Sequence, residues 1–157
     1  MAQYRKVLVG GAFDYIHRGH HTLLSKAFEV GDFVLIGLVS DEFASRVEGK
    51  QLTHSYEERL SRLNKYIQQH FPNRRYVVSK LEDYFGPEAY GEDVEAIVVS
   101  EETARRVDMV NRERVRRGVK PLKAVVVGMV MAEDGRPIST TRIRRGEIDE
   151  EGRVVKP

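Results

Sequence analysis

The sequence predicts an α/β protein, with a five-stranded parallel sheet and helices on both faces. Short apolar runs recur along the chain: KVLVGG, FVLIGLVS, RYVVS, EAIVVS and KAVVVGMVM. Continuous Val, Ile and Leu are typical of strands buried on both faces. Amphipathic stretches separate most of these runs, and alternating strands and helices form doubly wound, Rossmann-like sheets. We therefore expect that architecture here.

Length and composition predict one soluble domain. The chain has 157 residues, of which 41% are hydrophobic and 32% charged, enough to bury a core of its own. We treat residues 1–157 as a single domain and expect the polar tail from about residue 147 to be flexible. The sequence has no cysteine, no apolar run of about 20 residues and no signal-peptide pattern. These features favour a cytoplasmic protein without a membrane partner.

Two amphipathic helices have ends that the sequence predicts. The helix after the first strand has one apolar face, formed by Leu23, Leu24, Ala27 and Phe28. We expect it to end at Gly31, in the left-handed conformation common after helices. A second helix starts after Ser55, since Ser55 and Glu58 have the spacing of a capping box. Its apolar stripe comprises Tyr56, Leu60, Leu63 and Ile67.

The turn after the first strand carries the segment GGAFDYIHRGHH, residues 10–21. In a parallel sheet, ligands bind beyond the carboxyl ends of the strands. Gly10 and Gly11 let the backbone approach a ligand closely. The helix that starts near Gly19 or His20 directs its free N–H groups and positive dipole end toward the same space. The segment therefore predicts an anion site.

The sequence lacks the motifs of several other kinds of functional site. A phosphate-binding P-loop is excluded because Gly49-Lys50 is followed by Gln51, and no G-x-G-x-x-G follows the first strand. A zinc site at His17 and His20 lacks the H-E-x-x-H pattern and a third anchored ligand, so we predict no protein-bound metal. No G-x-S-x-G elbow supports a serine hydrolase. The isolated His54 and His70 are expected at the surface.

A second anion-binding pattern lies near the other end of the chain, in RPISTTRIRRG, residues 136–146. Hydroxyl side chains after a proline can cap the start of a helix, whose exposed N–H groups are able to meet a phosphate. The same pattern also fits an ordinary helix cap followed by solvated arginines.

Three segments together resemble a known family. GGAFDYIHRGH is similar to the HxGH signature of the nucleotidyltransferase superfamily, and RPISTTRIRRG to the I-S-[ST]-T-x-[IV]-R motif that pairs with it. The segment VVSEETARRVDMVNRERVRRG, residues 98–118, resembles the archaeal type of phosphopantetheine adenylyltransferase. This resemblance implies a nucleotidyltransferase of coenzyme A biosynthesis, which joins ATP and 4′-phosphopantetheine into dephospho-CoA and releases pyrophosphate.

The resemblance also implies roles for individual residues. Catalytic roles fall to His20, which stabilises charge on the transferring phosphoryl group, and to Lys50 and Arg144 as phosphate ligands. The family's glycine, Gly19 here, leaves room for the nucleotide, and our own hypothesis is that Asp14 orders the loop. The family implies Mg²⁺ carried by the ATP phosphates. The residues implied to bind ATP are Gly10, Gly11, Ala12, Phe13, His17, Gly19, His20, Ser100, Glu101, Arg105, Ser139, Thr140 and Thr141.

The residue inventory fits the chemistry of nucleotidyl transfer. If the acceptor is a phosphate, whose second pKa is about 6, it is largely ionised near neutrality and needs no general base. The site then has to align the reacting groups and neutralise their charge. Histidine, lysine and arginine suffice for this, so the lack of a carboxylate cluster is expected.

Two alternatives remain at the level of sequence. Ala12 replaces the usual Thr or Ser, which weakens the assignment of the acceptor. The ISTT segment also fits a cytidylyltransferase of a small phosphorylated alcohol, the first alternative, although Gly135-Arg136-Pro137 stands where cytidylyltransferases have an R-T-x-G stretch. The arginines after Ser100 also fit a noncatalytic nucleotide- or RNA-binding module. Against this, the net charge is only +2 and no aromatic RNA-binding signature is present, so we predict no nucleic-acid partner. We expect Arg114, Arg116 and Arg117 to be solvated.

Overall fold

The computed structural model describes residues 2–47 and 52–155, so Lys50 lies outside the described residues. Two 3-10 turns lie at Pro87–Tyr90 and Ala104–Arg106. The strands are β1 (Tyr4–Gly11), β2 (Gly31–Val39), β3 (Tyr76–Leu81), β4 (Val94–Ser100) and β5 (Lys123–Val127). The helices are α1 (Arg18–Val30), α2 (Asp41–Val47), α3 (Tyr56–His70), α4 (Val107–Arg116) and α5 (Thr140–Arg144).

The five strands form one parallel sheet in the order β3-β2-β1-β4-β5. This confirms the predicted Rossmann-like α/β fold. From the central β1 the chain builds outward to β2 and β3 on one side, then crosses to β4 and β5 on the other. The strand order therefore reverses between β1 and β4, and the carboxyl ends of these two strands border the crevice where such sheets bind ligands.

Helices cover both faces of the sheet, because successive strand residues point to opposite sides. Val7 and Val9 pack with residues of α1 and α3, among them Leu24 and Leu63, in one apolar cluster. Leu8 packs on the other face in a second cluster, with Val107 and Val110 of α4. The core thus forms two layers around β1, which holds the carboxyl end of that strand rigidly.

The helix boundaries match the prediction at one end and correct it at another. Ser55 caps α3 as expected, since its Oγ accepts the Glu58 N–H at 3.2 Å and its N–H donates to Glu58. The expectation of a left-handed Gly31 is wrong: its φ is −116° and it begins β2. Glycine is needed there for space, because a Cβ would lie 2.7 Å from Val7 Cγ2.

One arginine of α4 is buried, against the prediction that it is solvated. Arg114 is 1% exposed and donates to the backbone carbonyls of Lys120, Ala89, Gly91 and Val94 at 2.6–3.1 Å. These carbonyls satisfy the guanidinium, although burial lowers the pKa of Arg114. Arg116 and Arg117 are exposed as expected, and both pair with Glu113.

Residues 147–155 of the tail are packed, whereas we expected them to be flexible. Ile148 is 1% exposed and forms a small cluster with Ala132 and Ile138. The Gly152 carbonyl accepts the Glu133 N–H at 2.7 Å, and the Glu150 carbonyl accepts the Arg18 N–H at 3.2 Å. A single buried isoleucine and these backbone bonds hold a segment whose polar composition suggested disorder.

No helix in residues 2–47 and 52–155 is both long enough and apolar enough to cross a membrane.

Candidate nucleotide-binding site

A cavity of about 550 Å³ opens at the carboxyl ends of β1 and β4. The turn after β1, the start of α1, the end of β4 and the start of α5 all contribute to its wall. Most of the residues expected to contact ATP or the reacting phosphates line this cavity: Gly10, Gly11, Ala12, Phe13, His17, Gly19, His20, Ser100, Ser139, Thr140, Thr141 and Arg144. The lining does not include Glu101 or Arg105.

His17 and His20 form a capping box at the start of α1. The N–H of Gly19 donates to His17 Nδ1 at 3.0 Å, and the N–H of His17 donates to His20 Nδ1 at 3.2 Å. The two imidazoles stack, with ring centroids 3.8 Å apart. Histidine here takes the place of the usual Ser, Thr, Asp or Asn cap, so the helix start anchors each ring through Nδ1.

Both imidazoles are neutral at pH 7. Burial lowers the pKa of His17 to about 4. Burial and then repulsion from His17 lower the pKa of His20 well below its usual 6.5. Because Nδ1 of each ring accepts a backbone hydrogen bond, the proton of each neutral ring lies on Nε2. Each histidine therefore presents Nε2–H as a donor.

The start of α1 differs from the prediction in one respect: its backbone N–H groups are not free. The Arg18 N–H donates to Glu150, the Gly19 N–H to His17 Nδ1, and the His21 N–H to the His17 carbonyl. The packed tail and the two histidine side chains account for this. An anion at this end of α1 is thus met mainly by imidazole donors and by the helix dipole.

Gly19 has a local steric role that the resemblance did not suggest. A Cβ at this position would lie 2.8 Å from His17 Cε1 and 3.0 Å from its Nδ1. The space beside Gly19 is therefore taken by the His17 ring, which only glycine admits in this arrangement. Gly19 nevertheless remains part of the cavity wall.

Asp14 joins the turn after β1 to the start of α3. It is 1% exposed, and its carboxylate accepts the N–H groups of Thr53 at 2.9 Å and His54 at 3.0 Å. The prediction of a surface His54 is wrong, because its side chain is 12% exposed and its Nδ1 contacts Asp14. Asp14 and His54 are 40 residues apart in the sequence, so no local pattern could predict their contact. His70 is exposed as expected.

At the other side of the cavity, Ser139 caps α5 by accepting the Arg142 N–H at 3.2 Å. The guanidinium of Arg142 makes structural ion pairs: it contacts Asp134 and donates to Glu147 at 3.0 Å. Its hydrogen bond is the main cause that holds the pKa of Asp134 at about 2. The exposed Arg144, on the same helix, lies at the cavity wall.

The segment after β4 places a different arginine at the cavity from the one expected. Arg105 is exposed and outside the lining, whereas Arg106 lines the cavity and lies over the Tyr84 ring at 4.7 Å. A turn and the 3-10 stretch Ala104–Arg106 lie between the end of β4 and α4. A 3-10 turn advances about 120° per residue rather than 100°, which changes the direction of each side chain.

One wall of the cavity is apolar, and the sequence had given no sign of it. This wall is formed by Val39, Phe43, Leu52, Leu81, Tyr84 and Phe85. Five of these six belong to a cluster between α2 and the end of β3. The residues come from four separate segments, so no single motif could reveal the wall.

The described residues contain no group of three His, Cys, Asp or Glu side chains that could hold a metal ion. His17 and His20 are occupied by helix capping through Nδ1.

Comparison with known proteins agrees with these motifs. A family model described as Cytidylyltransferase-like matches residues 8–146. A phosphopantetheine adenylyltransferase from Methanopyrus kandleri is 42% identical over 150 residues, which are 96% of this chain and 94% of that protein. One from Methanosarcina barkeri is 47% identical over 154 residues, 96% of this chain and 93% of that protein. The chain belongs to the phosphopantetheine adenylyltransferase family.

A solved structure supports the fold of this family member. A protein of unknown function from Archaeoglobus fulgidus is 27% identical, with a TM-score of 0.70 over 78% of this chain and 88% of that one. Its family makes the chain a nucleotidyltransferase, and its fold is Rossmann-like, as the sequence motifs predicted.

Proposed function

We propose that the protein transfers the adenylyl group of ATP to 4′-phosphopantetheine, giving dephospho-CoA and pyrophosphate. One observation carries the proposal: the His17–His20 pair and the Ser139–Arg144 segment, from opposite ends of the chain, line one cavity. A triphosphate that enters this cavity meets both motifs. The names of the relatives, at 42% and 47% identity, favour ATP and phosphopantetheine over other substrate pairs.

The reaction needs hydrogen-bond donors more than it needs a base. An oxygen of the acceptor phosphate attacks the α-phosphorus of ATP, the bond from that phosphorus to the bridging oxygen breaks, and pyrophosphate leaves. The acceptor is already ionised, because its second pKa is about 6. His20 donates from Nε2 to the α-phosphate as charge develops there, and His17 donates to the neighbouring phosphates.

Positive charge must come from groups other than the neutral histidines. Arg144 and Arg106 line the cavity wall. We propose Arg106, rather than Arg105, as the arginine that contacts the nucleotide phosphates. Lys50 keeps the role of an acceptor-phosphate ligand as a prediction. Mg²⁺ held by triphosphate oxygens and water would supply further charge neutralisation.

The apolar wall is the proposed binding surface for the long arm of the acceptor. Pantetheine is mostly methylene, methyl and amide groups, which a wall such as Phe43, Leu81 and Tyr84 can cover. Ligand sites of this kind combine a large apolar surface with few polar anchors. The acceptor phosphate would then lie toward the turn after β1 and the arm toward α2.

The test is a pyrophosphate-release assay that crosses ATP or CTP with four acceptors: phosphopantetheine, glycerol phosphate, FMN and nicotinamide mononucleotide. We expect release with ATP and phosphopantetheine alone. A faster reaction with CTP, or with any other acceptor, would contradict the substrate assignment. Nucleotide binding that salt abolishes, with no pyrophosphate in any combination, would favour a noncatalytic binding module.

A further inference from the structure

Arg59 is a buried charge that the mechanism above does not use. Its side chain is 0% exposed, although it lies on α3 beside the apolar residues Leu63 and Ile67. Burying a guanidinium is costly unless every part of it is paired. The partners of Arg59 therefore identify what the charge maintains.

The guanidinium of Arg59 joins three separate segments of the chain. Its Nη1 donates to the Ala12 carbonyl at 2.9 Å, in the turn after β1. Its Nε donates to the His54 carbonyl at 3.1 Å, just before α3. Its Nη2 donates to the Asp41 carboxylate at 2.8 Å, at the start of α2. The planar fork of arginine satisfies all three directions at once, which lysine cannot do.

Asp14 closes these contacts into a ring. Arg59 holds the His54 carbonyl, while Asp14 holds the N–H and the Nδ1 of the same histidine. Asp14 and Ala12 both belong to the turn after β1. The turn is thus fixed from two directions against the start of α3.

The held turn contains a strained residue that contacts the catalytic histidine. Phe13 follows Ala12 directly and has a φ of 49°, in the left-handed region that non-glycine residues rarely adopt. It is 1% exposed, and its ring centroid lies 4.8 Å from that of His20. Such a conformation persists only when the surrounding structure stabilises it. The hydrogen bond from Arg59 to the Ala12 carbonyl, directly before Phe13, is one such contact.

We propose that Arg59 is a positioning residue for the transfer reaction: it holds the turn after β1 so that Phe13 sets the orientation of the His20 ring. This inference rests on the proposed function for its kinetic consequence. Its structural consequence, a fixed His20 ring, concerns the free protein and does not depend on the identity of any substrate.

Arg114 provides a matched control for Arg59. It is also buried and also donates to backbone carbonyls, but those belong to residues 89, 91, 94 and 120, none of which lines the cavity. A lysine in place of either arginine keeps the charge and loses the fork. Arg59→Lys and Arg114→Lys should therefore both lower stability, while only Arg59→Lys disturbs the site.

The experiment compares the two variants in two ways, well below their unfolding temperatures. Imidazole nitrogen NMR of the free proteins should show the His20 signals shifted in Arg59→Lys and unchanged in Arg114→Lys. Steady-state assays with ATP and phosphopantetheine should show kcat lowered about tenfold or more by Arg59→Lys, with KM for ATP nearly unchanged, because a small misplacement of a catalytic group slows chemistry more than binding. Arg114→Lys should keep the wild-type kcat per folded molecule.

Asp41→Asn supplies a second variant in case Arg59→Lys does not fold. Asp41 is half-exposed, and its hydrogen bond with Arg59 helps to hold its pKa below the usual value despite the opposing effect of burial. Removing this charge should shift the His20 signals in the same direction by a smaller amount. Unchanged His20 signals in whichever variants fold, or equal kcat losses in Arg59→Lys and Arg114→Lys, would overturn the proposal. Shifted His20 signals in a protein without adenylyltransferase activity would instead refute the proposed function and leave the positioning role standing.

Discussion

At the scale of single residues, the proposed function depends on two imidazoles, each of which caps α1 through Nδ1 and is proposed to donate a hydrogen bond to phosphate through Nε2. His17 and His20 use Nδ1 to cap α1, which leaves Nε2–H as the donor of each neutral ring. Two substitutions can therefore separate the capping role from the donor role. Asparagine has a polar atom near the position of Nδ1 and none at Nε2, whereas glutamine has an N–H near the position of Nε2.

His20→Asn tests the donor role of His20 directly. Its side-chain oxygen can keep the hydrogen bond from the His17 N–H, but nothing reaches the position of Nε2. We expect kcat to fall by about 10²-fold or more, as for loss of one preorganised donor, with the thermal midpoint nearly unchanged. His20→Gln, which offers an N–H near the Nε2 position, should recover part of the activity. Wild-type turnover in a folded His20→Asn protein would exclude the role.

His17→Asn tests the neutral state of His17 through the pH dependence of stability. The unfolded histidine has a pKa near 6.5 and the folded one a pKa of about 4, so the unfolded chain binds more protons between these values. The free energy of unfolding should therefore fall as pH is lowered from 6.5 to 4. Asparagine keeps the cap and does not titrate. The slope of the free energy of unfolding against pH should therefore decrease by up to the contribution of about one bound proton. Urea unfolding at several pH values measures it, and identical slopes would contradict the assignment.

Gly19→Ala tests whether the His17 ring needs the space beside Gly19. Alanine favours the helix by up to about 1 kcal/mol, yet its Cβ would lie 2.8 Å from the ring and displace it. We expect kcat to fall about tenfold without a comparable loss of thermal stability. Calorimetry and the pyrophosphate assay on the same preparation decide this, and full activity would show that the ring moves without consequence.

At the scale of elements, local patterns predicted what short stretches of chain determine. The five strands and the Ser55 cap followed from apolar runs and from side-chain spacing. The half-buried His54 and the buried Arg114 could not be predicted in this way, because their partners are distant in sequence. The sequence contains one indication that Arg59 is buried. Arg59, Leu63 and Ile67 follow one another at intervals of four residues, which places all three on the buried face of α3.

Ile148 tests the packed tail as an element of the fold. Its side chain is 1% exposed against Ala132 and Ile138. Ile148→Ala should lower the free energy of unfolding by about 2–5 kcal/mol, as for other buried isoleucines. Val155→Ala, at a residue 48% exposed in the same tail, should change it by less than about 0.5 kcal/mol. Denaturant unfolding compares them, and equal effects would mean that the tail does not contribute to the core.

At the scale of the whole molecule, the sheet topology brings together what the sequence separates. α1 follows the central strand and α5 lies near the end of the chain, yet His20 and Ser139 line one cavity at the reversal of strand order. The resemblance of both motifs to one superfamily implied this convergence. Sequence alone could not predict the apolar wall, the position of Arg106 rather than Arg105 at the cavity or the occupied N–H groups of α1, because each depends on packing between segments.

The central claim is that one triphosphate contacts both motifs. A crystal structure with Mg²⁺ and α,β-methylene-ATP tests it most directly. We expect the α-phosphate at about 3 Å from His20 Nε2, a hydrogen-bonding distance, and the β- and γ-phosphates against the Ser139–Arg144 segment. A triphosphate that contacts only one of the two motifs, or that lies outside the cavity, would contradict the account.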